Sequence, residues 1–178
     1  MISRAIIFAT EAHKDQVRKG TNTPYILHPL EVGIIVSQII KDEDLICAAI
    51  LHDVIEDTDV TFEMVKKEFN EKIANIVVSE SEDKSKSWKE RKAYTLEFLT
   101  KEKNKDIGIV ALGDKLSNMR NIDRDVQEIG NKLWERFNVK DKNEHKWYFS
   151  GLVDSLSYLS EYSAYQEFII LVDKVFGK

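Results

Sequence analysis

The chain has 178 residues, of which 43% are hydrophobic and 32% charged. This composition provides enough apolar material for a core and excludes a disordered chain, and the length fits one domain over residues 1–178. The formal net charge of −5 argues against general binding to nucleic acid backbones, which requires a basic face, although it is compatible with a local basic pocket for a small polyanion.

Apolar residues recur at three- and four-residue spacing, with only two prolines and seven glycines to interrupt them. This pattern predicts helices. The first helix is predicted over residues 2–17, followed by a loop over 18–29, and Pro29 is suited to open the next helix because the first turn does not use its missing N–H. The following residues of the first helix are expected to face inward: Ala5, Ile6, Ala9, Ala12 and Val17.

The remaining segments also have helical character. Residues 43–56 are apolar nearly all round, which predicts a buried central helix. Thr61 is a predicted N-cap, and Ser87 to Glu90 fit a capping box. Since we find no alternating strand pattern, no internal repeat and no linker, the sequence predicts a single all-α domain. The further helices are predicted over residues 62–69, 87–100, 105–120, 124–137, 144–160 and 162–176.

Two features concern the location of the protein. Cys47 is the only cysteine and lies in an apolar segment, so no internal disulfide can form and an inert core thiol is expected. The longest apolar run, Leu45 to Leu51, is far shorter than the roughly 20 residues that span a bilayer. Charged residues follow residues 6–9 immediately, unlike in a signal peptide. We therefore expect a cytoplasmic protein without a membrane segment.

The segment from Leu51 to Asp57, with sequence LHDVIED, has the clearest chemical character. On a helix His52 would share a face with Glu56, and Asp53 would share one with Glu56 and Asp57. Because the two preceding turns are apolar, these groups lie where an uncompensated carboxylate is costly. A divalent ion would offset that cost and is a suitable partner for imidazole and carboxylate ligands.

Two further candidate ligands lie in similar contexts. His28 precedes Pro29 at a loop-to-helix junction, and Asp114 lies inside the apolar helix 105–120 directly after Gly113, which allows close backbone approach. A single His-Asp pair is most often only a hydrogen bond in the core or at the surface. The complete pattern His…His-Asp…Asp instead favours a metal site.

These motifs resemble the HD phosphohydrolase superfamily, and within it the hydrolase domain of the RelA/SpoT proteins and the small alarmone hydrolases. The matching stretches are HKDQVRKGTNTPYILHPL (residues 13–30), AAILHDVIEDT (48–58) and LGDKLSNMRNI (112–122), with a weaker match in SEDKSKSWKER (81–91). The resemblance covers the first two-thirds of the chain. It implies a compact HD-domain helical bundle of about eight to ten helices.

The resemblance also implies an activity, which is the manganese-dependent removal of pyrophosphate from the ribose 3′ position of guanosine tetra- or pentaphosphate. In that family an acidic pair, here Glu56 and Asp57, positions and deprotonates the attacking water. A bound divalent ion acidifies water and neutralises phosphate charge, which agrees with this chemistry. The four metal ligands of the family correspond to His28, His52, Asp53 and Asp114.

The resemblance further implies substrate contacts. Arg18 corresponds to a base-stacking arginine with Lys19 beside it, and Lys115 and Asn118 match substrate-contacting positions. A planar guanidinium can stack on a purine, and a lysine is a compact charge suited to phosphate. The Arg18-Lys19-Gly20 segment is equally typical of a solvated helix end.

Two alternative functions stay open at this stage. One is a phosphohydrolase of the same fold acting on another nucleotide, and the other is a nucleotide-binding regulator whose metal site senses rather than cleaves. Glu56 and Asp57 argue against the regulator, because binding alone does not need two carboxylates beyond the ligand set.

The last third of the chain contains aromatic residues that the resemblance does not explain. The segment of residues 133–137, with Trp134, and the pair Trp147-Tyr148 are expected either in the core or in a reshaped pocket. Of the remaining histidines, we expect His13 to be structural and His145 to lie at the surface.

Overall fold

The computed structural model describes residues 1–177, which form ten α-helices, two 3₁₀-helices and no β-strand, so the all-α prediction is confirmed. Among these residues, no helix combines the length and apolar character that a membrane crossing requires. The α-helices are α1 (Ile2–Ala12), α2 (Leu27–Ile39), α3 (Glu43–Leu51), α4 (Val54–Asp57), α5 (Phe62–Glu68), α6 (Glu71–Ser79), α7 (Trp88–Glu102), α8 (Lys105–Ile129), α9 (Lys142–Ser155) and α10 (Ser163–Phe176). The 3₁₀-helices span Gly130–Arg136 and Ser157–Leu159.

Helix α3 lies at the centre of the core and packs against α1, α2, α6 and α8. All of its residues from Cys47 to Leu51 are buried, as the apolar pattern predicted. Burial also raises the pKa of the Cys47 thiol to about 11, so Cys47 is the core thiol that the sequence predicted. The C-terminal end of α3 therefore points His52 and Asp53 out of the most apolar part of the molecule.

The prediction that the first helix extends to residue 17 was wrong. Helix α1 ends at Ala12, and the chain then folds back on itself, so that Val17 forms an isolated bridge with Pro24. Gly20 allows this turn through its φ of +73°. Val17 is consequently 54% exposed and does not face inward.

The predicted helix 43–56 is interrupted at His52 and Asp53, which separate α3 from α4. The imidazole of His52 lies 2.9 Å from the carbonyl oxygen of Ala49 through Nδ1. In a continuous helix that carbonyl would accept the N–H of Asp53. The side chain of His52 thus bonds to the Ala49 carbonyl oxygen, near which the regular hydrogen-bond pattern of α3 ends.

The helices after residue 70 also differ from the prediction. No helix was predicted over α6, which Asn70 caps by accepting the N–H of Ile73 at 2.8 Å. The predicted break between 120 and 124 does not exist, because nothing in that segment interrupts α8 before Gly130, whose φ is +60°. The predicted helix 124–137 is therefore the end of α8 followed by the first 3₁₀-helix. The predicted helix 144–160 corresponds to α9 followed by the second 3₁₀-helix.

The aromatic residues of the last third mostly belong to the core. Trp134 is only 4% exposed and packs against His145, whose ring centroid is 5.1 Å away. The prediction that His145 lies at the surface was wrong, because the ring is buried among aromatic side chains and its Nε2 lies 2.7 Å from the carbonyl oxygen of Val139. Trp147 is half-buried, and the Lys89 ammonium lies over its ring, 3.6 Å from the ring centroid.

Gly113 permits the close approach of α8 to α2. A Cβ atom at this position would lie 2.9 Å from Cγ2 of Val36 and 3.2 Å from Cγ1 of Val32. A side chain would therefore push the two helices apart. Because Asp114 follows on α8 and His28 lies at the start of α2, this contact also sets the distance between two candidate ligands.

We expect Gly113→Ala to lower the free energy of unfolding by about 1–3 kcal/mol, since overpacking of a close-packed interior forces backbone shifts. Urea unfolding would measure this change. The Val36→Ala variant removes the methyl groups that the new Cβ would meet, so the double variant should lose less stability than the sum of the two single variants. Strict additivity would contradict the proposed contact.

Candidate metal centre

The candidate site is a cavity of about 310 Å³ at the C-terminal end of α3. Helices α2 and α8 form its inner wall, and α7 and α9 contribute residues to its outer side. Among the described residues, its lining contains more carboxylates than cations. The carboxylates are Asp53, Glu56, Asp57, Glu80, Glu82 and Asp114, and the cations are Arg18, Lys92 and Lys115.

The four side chains that the sequence singled out as metal ligands meet on the inner wall. Nε2 of His28 lies 3.1 Å from Oδ1 of Asp114, and Nε2 of His52 lies 2.9 Å from Oδ2 of Asp53. The crosswise distances are 3.8 Å from His28 Nε2 to Asp53 Oδ2 and 3.7 Å from His52 Nε2 to Asp114 Oδ1.

These distances suit a single divalent ion. Two ligand atoms about 2.2 Å from one ion lie about 3.1 Å apart when they are adjacent at right angles and about 4.4 Å apart when they are opposite. The ligand atoms of His28, His52 and Asp114 all lie within 4.8 Å of one another. Nε2 of His52 is buried and, among residues 1–177, meets no partner in hydrogen-bond geometry. An ion would satisfy that atom.

The hydrogen bonds of the two imidazoles leave both Nε2 atoms free to coordinate. A carbonyl oxygen can only accept, so Nδ1 of His52 donates to Ala49, and Nε2 is the nitrogen that would coordinate an ion once it gives up its own proton. Nδ1 of His28 lies 2.9 Å from the hydroxyl oxygen of Ser117, and that hydroxyl donates to Glu31. Ser117 must therefore accept from His28, which leaves the lone pair on Nε2.

The electrostatics of the cluster favour a positive charge at its centre. Burial lowers the pKa of His28, so its imidazole is neutral. Burial also acts to lower the pKa of His52, but the carboxylates of Asp53 and Asp114 raise it well above its ordinary value. Conversely, burial acts to raise the pKa of Asp53, yet the His52 imidazole holds it well below the ordinary value. Both effects indicate that a cation is stabilised between these side chains.

Asp114 links the cluster to three of the four predicted substrate-binding residues. Its Oδ2 accepts from the Lys115 ammonium, and its Oδ1 accepts from Nδ2 of Asn118 at 2.6 Å. The side-chain oxygen Oδ1 of Asn118 in turn accepts from the guanidinium of Arg18 at 3.0 Å. That guanidinium lies 5.7 Å from the ring centroid of Tyr25. Arg18, Lys115 and Asn118 all line the cavity.

Lys19 is placed differently from the other three. Its ammonium donates to Oδ1 of Asn138 at 2.8 Å, and the side chain is not part of the cavity lining. Arg18 and Lys19 both fall in the predicted loop over 18–29, and the turn there directs their side chains to different sides.

Glu56 and Asp57 both line the cavity, but their surroundings differ. Burial raises the pKa of Glu56 to about 7, and the nearby carboxylates of Asp53, Glu82 and Asp57 add to the shift. One oxygen of Glu56 accepts the backbone N–H of Glu82 at 3.2 Å. Asp57 is exposed and pairs with the Lys84 ammonium at 2.8 Å. Of this pair, Glu56 is therefore the carboxylate whose proton affinity suits exchange with water near neutral pH.

Several residues that line the cavity or contact its candidate ligands were not identified from the sequence. The hydroxyl of Tyr25 donates to Oδ2 of Asp53 at 2.6 Å, and Ser117 contacts His28. Burial raises the pKa of Glu80, which lines the cavity, to about 7. Tyr25 and Ser117 each lie three residues from a candidate ligand, but each forms its hydrogen bond with a different ligand that is distant in sequence, so the spacing did not reveal these contacts. Glu80 directly follows α6, which was not predicted.

An aromatic wall faces the candidate ligands across the cavity. It includes Phe137 and Tyr148, so the two aromatic segments that the resemblance left unexplained contribute both to the core and to the pocket. Tyr148 is 4% exposed, and its hydroxyl has no hydrogen-bond partner among the residues that the structure describes. The members of the wall are Trp88, Phe137, His145, Tyr148 and Phe149.

Comparison with known proteins agrees with this geometry. A family model described as HD domain matches residues 5–139. The chain belongs to the HD-domain family. An HD domain implies binding of a divalent metal ion, and the imidazoles of His28 and His52 with the carboxylate of Asp114 are placed to hold one. The resemblance noted in the sequence is thereby confirmed.

Named relatives include two guanosine-3′,5′-bis(diphosphate) 3′-pyrophosphohydrolases. The one from Aquifex aeolicus is 33% identical over 94% of this chain, but the match covers only 25% of the Aquifex protein. The one named MESH1 from Xenopus tropicalis is 40% identical over 72% of this chain and 73% of its own length. The solved structure of a metazoan ortholog of SpoT, which hydrolyses ppGpp, has a TM-score of 0.76 at 28% identity, covering 98% of this chain and 93% of that one.

The raised pKa of Glu56 has a consequence for the stability of the metal-free protein. The folded chain holds the proton with a pKa of about 7, whereas the ordinary value is 4.5, so the folded state loses stability as the pH rises from 4.5 to 7. Since glutamine does not ionise, Glu56→Gln should raise the free energy of unfolding at pH 8 by about 1–3 kcal/mol and by clearly less at pH 5.

Urea unfolding in the presence of a chelator, at both pH values, would measure this difference. Glu90→Gln serves as the control, because the hydrogen bond from Ser87 lowers the pKa of Glu90. Its substitution should therefore lower stability at pH 8. A Glu56→Gln effect that does not depend on pH would contradict the assigned cause.

Proposed function

We propose that this chain is a metal-dependent hydrolase that removes pyrophosphate from the 3′ position of guanosine-3′,5′-bis(diphosphate). The observation that carries the proposal is the meeting of His28, His52, Asp53 and Asp114 on the wall of a cavity that also contains Glu56. Two HD-domain relatives that bear the name of this activity support the choice of reaction.

A divalent ion would be held by Nε2 of His28 and His52 and by one carboxylate oxygen each of Asp53 and Asp114. We propose manganese as the metal, because the set combines imidazole nitrogens with carboxylate oxygens, a donor set that suits such ions. When bound, a divalent ion lowers the pKa of water and stabilises developing negative charge on phosphate.

Glu56 and Asp57 act on the attacking water. The water oxygen bonds to the phosphorus attached to the ribose 3′ oxygen, and the bond between that phosphorus and the 3′ oxygen breaks. The 3′ oxygen takes up a proton from solvent to become a hydroxyl group, and pyrophosphate is released. Glu56 accepts the proton of the water, for which a pKa of about 7 is well matched. Asp57, held by Lys84 at the exposed edge, orients the water.

Arg18, Lys115 and Asn118 hold the nucleotide. The guanidinium of Arg18 already lies against the Tyr25 ring, so a purine can stack on its open side. Lys115 places a buried positive charge directly beside Asp114, where a phosphate next to the ion would lie. The aromatic wall limits the cavity on the opposite side.

The direct test is to incubate the protein with Mn²⁺ and a panel of nucleotides that includes guanosine tetraphosphate, and to measure released pyrophosphate and phosphate. His52→Ala and Asp53→Ala should lose both bound metal and activity. Glu56→Gln should retain the metal and lose about 10²–10⁴-fold in turnover, as expected for a general base, and Asp57→Asn should also lose turnover.

Glu135→Gln is the matched control, because Glu135 is exposed and does not line the cavity. Wild-type rates in both Glu56→Gln and Asp57→Asn would refute the proposed role in water activation. Cleavage of simple nucleotides alone would point to another phosphohydrolase, and metal-dependent binding without turnover would point to a regulator.

The role of Arg18 can be separated from that of its neighbour. Arg18→Ala should raise KM for guanosine tetraphosphate roughly 2- to 30-fold with little change in kcat, because a stacked cation contributes about 0.5–2 kcal/mol to binding in ground and transition states alike. Lys19→Ala removes an adjacent positive charge outside the cavity and should leave KM close to the wild-type value. Equal effects of the two substitutions would contradict the stacking role.

A further inference from the structure

The imidazole of His28 lies at one end of a chain of polar contacts that leads away from the cavity. Its Nδ1 lies 2.9 Å from the hydroxyl oxygen of Ser117, which is fully buried. That hydroxyl donates to Oε2 of Glu31 at 2.8 Å. Arg120 lies 3.4 Å from the other oxygen of Glu31 through one guanidinium nitrogen.

Arg120 is itself held from the C-terminal helix. Two of its guanidinium nitrogens donate to the two carboxylate oxygens of Glu167 on α10, at 2.7 and 2.8 Å. Such a bidentate pair restricts the orientation of both side chains. Glu167 lies beyond residues 5–139, the part that matches the HD-domain family, so a helix outside the matched region supports the contacts behind His28.

The direction of the hydrogen bonds in this chain matters for metal binding. A serine hydroxyl can donate or accept, whereas an ionised carboxylate can only accept. Since Glu31 accepts the hydrogen bond from the Ser117 hydroxyl, Ser117 must in turn accept a hydrogen bond from Nδ1–H of His28. Without Glu31 the hydroxyl would be free to donate to Nδ1, and the imidazole proton would then reside on Nε2, which faces the candidate metal site.

We propose that Ser117 and Glu31 are positioning residues that hold His28 in the tautomer whose Nε2 lone pair faces the metal. This inference rests on the proposed function, because it requires His28 to be a ligand. Outer partners of metal-bound histidines typically change metal affinity 10–100-fold when they are removed, since they fix both the tautomer and the ring orientation.

The first test is titration of the full chain with Mn²⁺ alone, with free ion followed by electron paramagnetic resonance. Ser117→Ala should raise Kd for Mn²⁺ about 10–100-fold, and Ser117→Thr, which keeps the hydroxyl, should restore most of the affinity. Ser155→Ala is the matched control, because Ser155, like Ser117, is a buried serine. Its hydroxyl donates to the carbonyl oxygen of Leu96 at 3.1 Å, away from the candidate ligands. It should leave Kd unchanged.

The second test reads the tautomer directly, and a loss of packing alone would not change it. Long-range ¹⁵N–¹H correlation spectra of the metal-free chain, at a pH where His28 is neutral, should show the proton on Nδ1 in the wild type. Glu31→Leu removes the acceptor and should shift the proton toward Nε2. An unchanged tautomer in Glu31→Leu overturns the proposal, even if Ser117→Ala lowers metal affinity by perturbing the fold.

The outcomes separate this inference from the function on which it rests. A wild-type chain that binds no Mn²⁺ overturns both. A wild-type chain that binds Mn²⁺ and cleaves guanosine tetraphosphate, with the same affinity in Ser117→Ala and Glu31→Leu, leaves the function standing and overturns the positioning role.

Discussion

The clustering of two carboxylates and two imidazoles, three of these residues buried, at the end of an apolar helix is the constraint around which the rest of the structure is arranged. Asp114 is 6% exposed and His52 1% exposed, positions at which an unpaired charge would be strongly unfavourable. Each of these groups therefore has partners that fix its orientation. The ligand atoms of His28, His52 and Asp114 lie within 4.8 Å of one another, and Asp53 lies 2.9 Å from His52, so a positive charge is stabilised between these groups.

Asp114 connects this cluster to the cavity. One of its oxygens faces the imidazoles and Asn118, while the other binds Lys115. The same carboxylate thus contributes to the candidate metal site and determines where the groups that face a nucleotide lie. Gly113 makes this arrangement possible, because only a residue without a side chain allows α8 to approach α2 so closely.

The C-terminal helices complete the site rather than merely covering it. Helix α9 supplies Tyr148 to the aromatic wall, and α10 holds Arg120 through Glu167. Both helices lie beyond the region that matches the HD-domain family. The ligand-bearing helices thus form the matched part of the fold, and the later helices close the outer side of the cavity and support its inner wall.

The sequence by itself determined the helical class and the set of ionisable residues in apolar contexts, because helical periodicity and buried charge are local patterns. His28, His52, Asp53 and Asp114 could be chosen on that basis, although 86 residues separate His28 from Asp114. The tertiary structure alone decided which neighbours share the cavity. It placed Arg18 inside and Lys19 outside because the turn within the predicted loop directs the two side chains differently. It also buried His145 against aromatic rings that are distant in sequence, such as Trp88. Such contacts depend on how helices pack, and spacing along the chain does not encode them.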